Sequence, residues 1–423
     1  MLNNTQSVLN SLIKNRKYTI NRLNGLTNEV SLVKLDPIDD NNVEQNKSFS
    51  SVETSINDFE NLLELNKNNE YTFILRIYGA ASNFIDRDLE TKVIKYASKE
   101  NLCPMIIYTD NKTYRVEEFL NNYIQSDNNS LLKNLLHVFK KLSVFNSIEM
   151  LEYSCNNFIK EDIKINTQSI SNRFIKLYSE DDNIKLQKNS NYLFSIKTNF
   201  VGYFLTLILP KAKEHISYHI NKFKNLVKSS DSDVIKQKYN LKLEKTQKAE
   251  EFLSNFDFNY KALLPKNGIL VLSHNDLHKG NIMINYCNNK LNDIKFLDME
   301  FAKMNLFGID IVNFLIEFCF DYSDYPRYTF TGYDCKKYYD MYKNFVEIYF
   351  NTCSSSFDAY LKNNNLNLND LINKYSHFDY YRLLVKYSCA FWIVVESYYV
   401  NDDDNEFSYL DYMIDRLSIY NEV

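Results

Sequence analysis

The chain has 423 residues and a formal charge of −5, with 45% hydrophobic and 15% aromatic side chains; 33 Tyr and 29 Phe stand against a single Trp. Such a length allows one large or two ordinary domains, and the composition supports a sizeable globular core. The charges form no long like-signed block, which argues against a nucleic-acid partner, and seven scattered Cys with no C-x-x-C argue against a disulfide framework or zinc ribbon and for a reducing cytosol.

Residues 1–16 carry Val8, Leu9, Leu12 and Ile13 at helical spacing and predict a short amphipathic helix that packs on the protein itself. Tyr18–Lys34 reads as two strands around Leu23–Asn28, a loop with one glycine, Gly25, whose backbone N–H groups suit an anion but equally suit an ordinary turn. Residues 36–69 are polar and aperiodic and read as an insertion. Tyr71–Gly79 is a buried-strand run broken by Arg76, a charge that is costly unless paired and so is expected to face a cleft or a ligand. Leu89, Val93, Ile94 and Ala97 predict a helix over 86–100 that turns Glu90 towards Arg76. Met105–Tyr108 and Tyr114–Leu120 predict a further hairpin, whose second strand carries Glu117 and Phe119.

Residues 128–260 read as largely helical. His215 and His219 share one helix face without a third ligand nearby, so a surface pair is expected there, not a metal site. Lys222–Lys248 reads as an exposed charged helix, and long helices are expected over Tyr338–Phe350 and Leu366–Tyr399. The longest apolar runs, near Val201–Pro210 and Cys389–Val395, are too short to span a bilayer, and Met1–Asn4 does not open a signal sequence, so a soluble protein is expected.

Ile269–Glu300 concentrates the chemistry. Two short apolar strands enclose His274, Asp276 and Asn281, and after a polar turn at Asn288-Asn289 a third strand ends at Asp298-Met299-Glu300. Phosphoryl transfer in kinase folds uses a carboxylate beside the acceptor hydroxyl, an amide oxygen on Mg²⁺ and a second carboxylate between metal and phosphates. Asp276, Asn281 and Asp298 supply these in order: the first two satisfy H-x-D-x-x-x-x-N with His274, and Asp298 stands where a protein kinase carries D-F-G.

Taken together, the segments from Asn21 to about Tyr420 resemble the choline/ethanolamine kinase family. Ser273–Ile282 is similar to its HND…NI block, Phe296–Phe301 to its hydrophobic-D-x-E-aromatic block, and Ile309–Phe314, running on to Glu317, to its D-I-x-N segment. Upstream, Gly25–Asn28 resembles its phosphate loop, Leu75–Gly79 its strand with a nucleotide-contacting Arg, and Ile85–Arg87 with Glu90 the helix that follows.

The resemblance implies a protein-kinase-like two-lobed α/β (α+β) fold. A small N-terminal lobe over 1–120 has an antiparallel sheet and the insertion at 36–69; a larger, mainly helical lobe covers 121–423. It implies ATP-dependent phosphorylation of the choline hydroxyl to phosphocholine and ADP, the first step of the CDP-choline route to phosphatidylcholine, in the cytoplasm and with Mg²⁺. Asp276 is then the catalytic base. Asn281, Asp298 and Glu300 are the metal ligands; Gly25, Thr27, Asn28, Arg76, Glu90, Glu117 and Phe119 contact the nucleotide; and Asp276, Glu317, Tyr322, Trp392, Tyr409 and Tyr412 form the amine site. A homodimer is expected on the same ground. Two departures stand out: Asn24-Gly25 where the family has two glycines, and Cys389 where a W-x-x-W pattern has its first Trp, which thins the aromatic wall and makes Cys389→Trp an expected improvement. Tyr322, five residues after Glu317, resembles the choline-kinase version of this segment more than the ethanolamine-kinase version, and ethanolamine kinase stays the alternative. An aminoglycoside-type phosphotransferase would need neither Glu317 nor an aromatic cage, and a pseudokinase binding module would lack a member of the base or metal set, of which none is missing here.

Overall fold

The computed structural model describes residues 2–13, 17–23, 28–36, 70–79, 85–110, 112–148, 150–154, 164–171, 208–259, 267–401 and 406–423. Gly25, Thr27 and residues 37–69 lie outside these, as does the start of the Val201–Pro210 run. In chain order the elements begin with α1 (Leu2–Ile13), β1 (Tyr18–Leu23), β2 (Asn28–Leu35), β3 (Tyr71–Tyr78), α2 (Arg87–Lys99), β4 (Ile106–Thr109), β5 (Tyr114–Glu118) and β6 (Tyr123–Gln125). There follow α3 (Asn128–Lys133), α4 (Leu135–Asn146), β7 (Met150–Ser154), β8 (Lys164–Ser171), α5 (Leu209–Ser229), α6 (Asp233–Asn259), β9 (Asn267–Ser273), β10 (Ile282–Cys287), β11 (Lys290–Phe296) and β12 (Lys303–Leu306). The chain closes with α7 (Ile309–Glu317), β13 (Phe320–Asp321), β14 (Thr329–Phe330), α8 (Cys335–Thr352), α9 (Ser354–Asn364), α10 (Leu368–Tyr375), α11 (Phe378–Tyr399) and α12 (Tyr409–Glu422). The arrangement is mixed α/β, with an antiparallel N-terminal sheet and a largely helical C-terminal part.

Two compact units result: residues 1–125 with 283–301, and residues 126–282 with 302–423. The β10–β11 hairpin and the turn to Phe301 thus belong with the N-terminal sheet, a grouping that a single cut after residue 120 does not make. In the first unit five antiparallel strands run in the order β1-β2-β3-β5-β4. The apolar stripe of α1, Leu9, Leu12 and Ile13, packs on Val33, Leu35, Phe73, Leu75 and Val116, so helical spacing on one side meets strand alternation on the other. Each fully buried side chain of this kind is worth roughly 1.5–3 kcal/mol. The register also sets Arg76 of β3 directly opposite Arg115 of β5. Like charges in that relation repel, so carboxylates must lie between them. A second, three-stranded sheet, β11-β10-β6, turns at Asn288 and Asn289, whose φ angles of 51° and 60° are those a tight hairpin turn demands and Asn tolerates.

The second unit contains a four-stranded antiparallel sheet, β12-β9-β7-β8. Within 128–260 the described elements are largely helical as read, with strands β7 and β8 the exceptions: β7 pairs with β9 along its length, and the β-branched Ile165 and Thr167 of β8 suit a strand. Lys222–Lys248 is likewise two helices, interrupted where the Ser230 hydroxyl accepts the Ser232 N–H at 3.2 Å. Leu366–Tyr399 also breaks in two, α11 being capped by His377, whose Nδ1 accepts the Asp379 N–H at 3.3 Å. His219 is buried, not part of a surface pair, and its ring lies 4.6 Å from that of His215. The helical core is rich in Tyr because the hydroxyls find carbonyls: Tyr342 donates to Tyr375 O at 2.8 Å, Tyr380 to Phe307 O at 2.9 Å and Tyr339 to Ser376 O at 3.0 Å. No described helix is long and apolar enough to cross a membrane.

Candidate active site

Between β9 and β12 the chain leaves the sheet as the loop His274–Asn281. Asn275 takes a φ of 67°, a left-handed conformation in which Asn is enriched. Asp310, in the first turn of α7, holds this loop by its backbone: Oδ2 accepts the His274 N–H at 2.9 Å and Oδ1 the Asn275 N–H at 2.8 Å. Asn146 Nδ2 donates to the same Oδ2 at 2.9 Å and to Leu272 O at 2.8 Å. Gly308 allows α7 to start so close, since its φ is 87° and an added Cβ would lie 3.0 Å from both Leu384 Cδ1 and the Tyr342 hydroxyl. From β12, Asn305 Nδ2 donates to Asn275 Oδ1 at 2.7 Å; from α7, Asn313 Nδ2 donates to Leu277 O at 3.2 Å. Tyr387 and Ser388 of α11 donate to these two Asn side chains at 3.1 and 3.2 Å. A cavity of about 10 Å³ is lined by the same residues and Trp392, room for one water at most.

The loop so pinned presents Asp276. Its N–H donates to His274 Nδ1 at 3.3 Å, and Asn281 Nδ2 donates to its carbonyl at 2.9 Å and to its Oδ2 at 3.3 Å. Asn281 therefore turns its donor end to Asp276 and keeps the amide oxygen as its acceptor end. His278 Nε2 lies 3.9 Å from Asp276 Oδ2. Asp310 belongs to a motif recognised in the sequence but was given no role there; burial of a carboxylate against two consecutive backbone N–H groups is what marks it.

In the first unit, three guanidiniums and four carboxylates form a continuous buried chain. Arg76 pairs with Asp298 at 3.1 Å and Glu117 at 3.5 Å; Arg115 bonds Glu117 and Glu90; Arg87 pairs with Glu90 at 2.7 Å and Glu300 at 3.3 Å. Asn28 closes it, donating to Glu300 Oε2 at 3.0 Å and accepting from Arg87 at 3.1 Å. Expected partners are thus exchanged: Glu90 bonds Arg115 and Arg87, and Arg76 bonds Asp298 and Glu117. The cross-strand Arg76/Arg115 pair causes this, because Glu117 is the nearest carboxylate that serves both. Burial opposes the charge on Arg76, but Asp298 and Glu117 more than offset it and raise its pKa. Burial by itself would raise the Glu117 carboxyl, yet Arg115 and Arg76 hold it below the usual range. Glu117 and Asn28 therefore spend their side chains inside the protein, whereas Phe119, just past β5, is 37% exposed. Glu300, expected among the metal ligands, is buried against Asn28 and Arg87. Asp298, with a φ of 59°, is the exposed end of the chain, its side chain 25% accessible against 10% or less for the others.

Of the expected amine-site residues, Glu317, Tyr412 and Trp392 lie against a residue that was not among them, Arg416. Glu317 Oε1 accepts from Arg416 and from the Tyr412 hydroxyl, the latter at 2.7 Å, while Oε2 accepts the Tyr322 hydroxyl at 2.9 Å. The Tyr322 and Tyr412 oxygens are 2.6 Å apart. Burial first, and Glu317 next, push the Tyr322 phenol well above its ordinary pKa, so it remains a donor. The Arg416 guanidinium lies 5.0 Å from the Tyr412 ring and 5.5 Å from those of Trp392 and Phe320. Lys279 sets its ammonium 5.3 Å from the Tyr322 ring centre. Tyr409 packs on Phe407 at 5.0 Å; burial raises its phenol and the Asp276 charge contributes. Arg416 was legible only as the i+4 neighbour of Tyr412. Cys389 is completely buried.

A sequence model described as choline/ethanolamine kinase matches residues 23–421. An ethanolamine kinase of Drosophila melanogaster is 38% identical over 80 residues, 18% of this chain and only 15% of that enzyme. Among solved structures, a choline kinase of Cryptosporidium parvum Iowa II is 18% identical with a TM-score of 0.48, covering 100% of this chain and 95% of that one. An ethanolamine kinase of Plasmodium vivax is 16% identical with a TM-score of 0.45, covering 99% and 86%. With the family pattern matched over nearly its whole length, this chain belongs to the choline/ethanolamine kinase family.

Proposed function

We propose that this protein transfers the γ-phosphoryl group of ATP to the hydroxyl of choline, with ethanolamine the poorer acceptor. The observation that carries the choice is the state of Glu317. An ionised carboxylate has about four acceptor positions, and Arg416, Tyr412 and Tyr322 occupy three of those on Glu317. An –NH₃⁺ group, which needs acceptors, is poorly served there; a trimethylammonium needs only aromatic faces and nearby negative charge. The Tyr322 face already carries the Lys279 ammonium within cation–π range, so it accepts a cation.

Asp276 is the proposed base. Its carboxylate, oriented by Asn281, takes the hydroxyl proton as the substrate oxygen attacks phosphorus. Asp310 is a positioning residue that fixes the loop beneath it. The donors fit Mg²⁺ residue by residue. Asn281 offers an amide oxygen, and Asp298 is the exposed end of a chain whose four carboxylates exceed its three guanidiniums by one negative charge. When bound, the metal supplies charge neutralisation on the phosphates. Arg76 is proposed to act by orienting Asp298, and Glu300 by holding Asn28 and Arg87 at the base of the phosphate loop, a revision of its expected role as ligand. Gly25 and Thr27 keep their proposed place in that loop on sequence alone, and a cytoplasmic homodimer stays a proposal on the same ground.

The test is kcat/KM for ethanolamine and its mono-, di- and trimethylated forms. A value that rises with methylation is expected; a steady fall makes ethanolamine the substrate, and no turnover of any of the four refutes the amino-alcohol kinase reading.

A further inference from the structure

Arg416 serves two glutamates. Besides its bond to Glu317, its Nε lies 3.2 Å from Oε1 of Glu396, on α11, and both side chains are almost wholly inaccessible. Apart from this ion pair with Arg416, neither Glu396 oxygen has a hydrogen-bond partner among the described residues. A buried carboxylate without hydrogen bonds is costly, so its presence asks for a charge that it balances. Glu317 and Arg416 cancel each other. Without Glu396 the buried group would be neutral, and a cation entering beside Arg416 would meet a like charge on the same aromatic faces, Trp392 and Tyr412.

We propose that Glu396 is a specificity-determining residue of the amine site, supplying the buried negative charge that offsets Arg416 and lets a cationic substrate bind beside it. Glu396 acts through Arg416 and is a positioning residue. The inference rests on the amino-alcohol kinase reading and adds to it the origin of the site's charge.

Burial, only partly offset by Arg416, raises the Glu396 carboxyl well above its ordinary pKa, and an arriving cation shifts it back towards the ionised form. Cation affinity should therefore rise with pH. The other charged or titratable groups facing Glu396 are Glu317 on α7, Tyr328 before β14, Tyr409, Tyr412 and Asp415 on α12, and Cys389 on its own helix; His215 of α5 contacts the neighbouring Ser397 carbonyl at 3.1 Å. Of these, Asp415 also has a carboxyl raised by burial, but its side chain accepts from Tyr328 at 2.7 Å.

The experiment compares choline with 3,3-dimethylbutan-1-ol, its uncharged isostere, used as substrate or competitive inhibitor, in wild type and Glu396→Gln. Coupling between two sites is typically about 5- to 150-fold, so choline KM should rise at least about fivefold more than the isostere constant. In the wild type, choline KM should fall with rising pH relative to the isostere. Equal changes for the two ligands in the variant, with wild-type choline turnover intact, overturn the inference and leave the kinase reading standing. A wild type that neither binds nor phosphorylates any cationic amino alcohol overturns both. If Glu396→Gln does not fold, the wild-type pH comparison decides alone: parallel profiles for the two ligands refute the proposal.

Discussion

Replacing Asp310 by Asn probes the support of the candidate active site without touching a group that meets substrate. Its carboxylate accepts three hydrogen bonds, from His274 N–H at 2.9 Å, Asn275 N–H at 2.8 Å and Asn146 Nδ2 at 2.9 Å. An Asn whose oxygen replaces Oδ2 keeps two of them and sets its NH₂ against the Asn275 N–H, leaving donor facing donor in a buried site. A lost hydrogen bond to a charged group is worth about 1.5–3 kcal/mol. The removed charge offsets part of this, since burial raises the Asp310 carboxyl despite the N–H donors that lower it. With an unfolding entropy of about 2 cal/mol/K per residue, about 1 kcal/mol moves the Tm of a chain of 423 residues by roughly 1 °C, so a fall of about 1–3 °C is expected by calorimetry. Asn275 precedes Asp276, and a displacement on the order of 1 Å at a reacting group costs about 100-fold; kcat should fall by about 10- to 100-fold while KM for ATP stays within about twofold. A variant with wild-type Tm and kcat would refute the anchoring role.

Asp276→Asn should lower turnover by about 10²–10⁴-fold with nucleotide affinity retained; more than about a tenth of wild-type turnover rules out the base assignment. Asp298→Ala should raise the Mg²⁺ concentration needed for half-maximal rate, and an unchanged Mg²⁺ titration places the metal elsewhere. Breaking a buried ion pair costs about 3–5 kcal/mol, so Arg115→Met, which leaves Glu90 with Arg87 alone and Glu117 with Arg76 alone, should lower the denaturation midpoint markedly; a neutral effect would show that the remaining guanidiniums suffice for both carboxylates. Cys389→Trp should destabilise by about 1–3 kcal/mol or more and give choline no selective gain, against the expectation from sequence; improved kcat/KM for choline at unchanged Tm would restore the missing-wall reading.

Much was legible because the local signals agree with the tertiary result. Leu9, Leu12 and Ile13 mark a helix face, Tyr71–Tyr78 a buried strand, and Asn288-Asn289 a hairpin turn, each from residues adjacent in the chain. The His274–Asn281 pattern and Asp298 carried the family assignment for the same reason: the spacing of a loop between two strands is a property of a single segment. Strands β7 and β8 were not legible, because what makes Met150–Ser154 a strand is its pairing with β9, more than a hundred residues later. The partners of Arg76 were missed because strand register, not helix phase, set Arg115 opposite it and drew Glu117 between them. Arg416 and Glu396 escaped because an ion pair between two helices leaves no trace in either one. Cys389 stands where an aromatic pattern has a Trp, and that it is wholly buried is visible only in the folded chain. Chemistry carried by one segment can be read from its spacing; the charge balance of a buried site depends on which distant segments meet, and folding alone decides that.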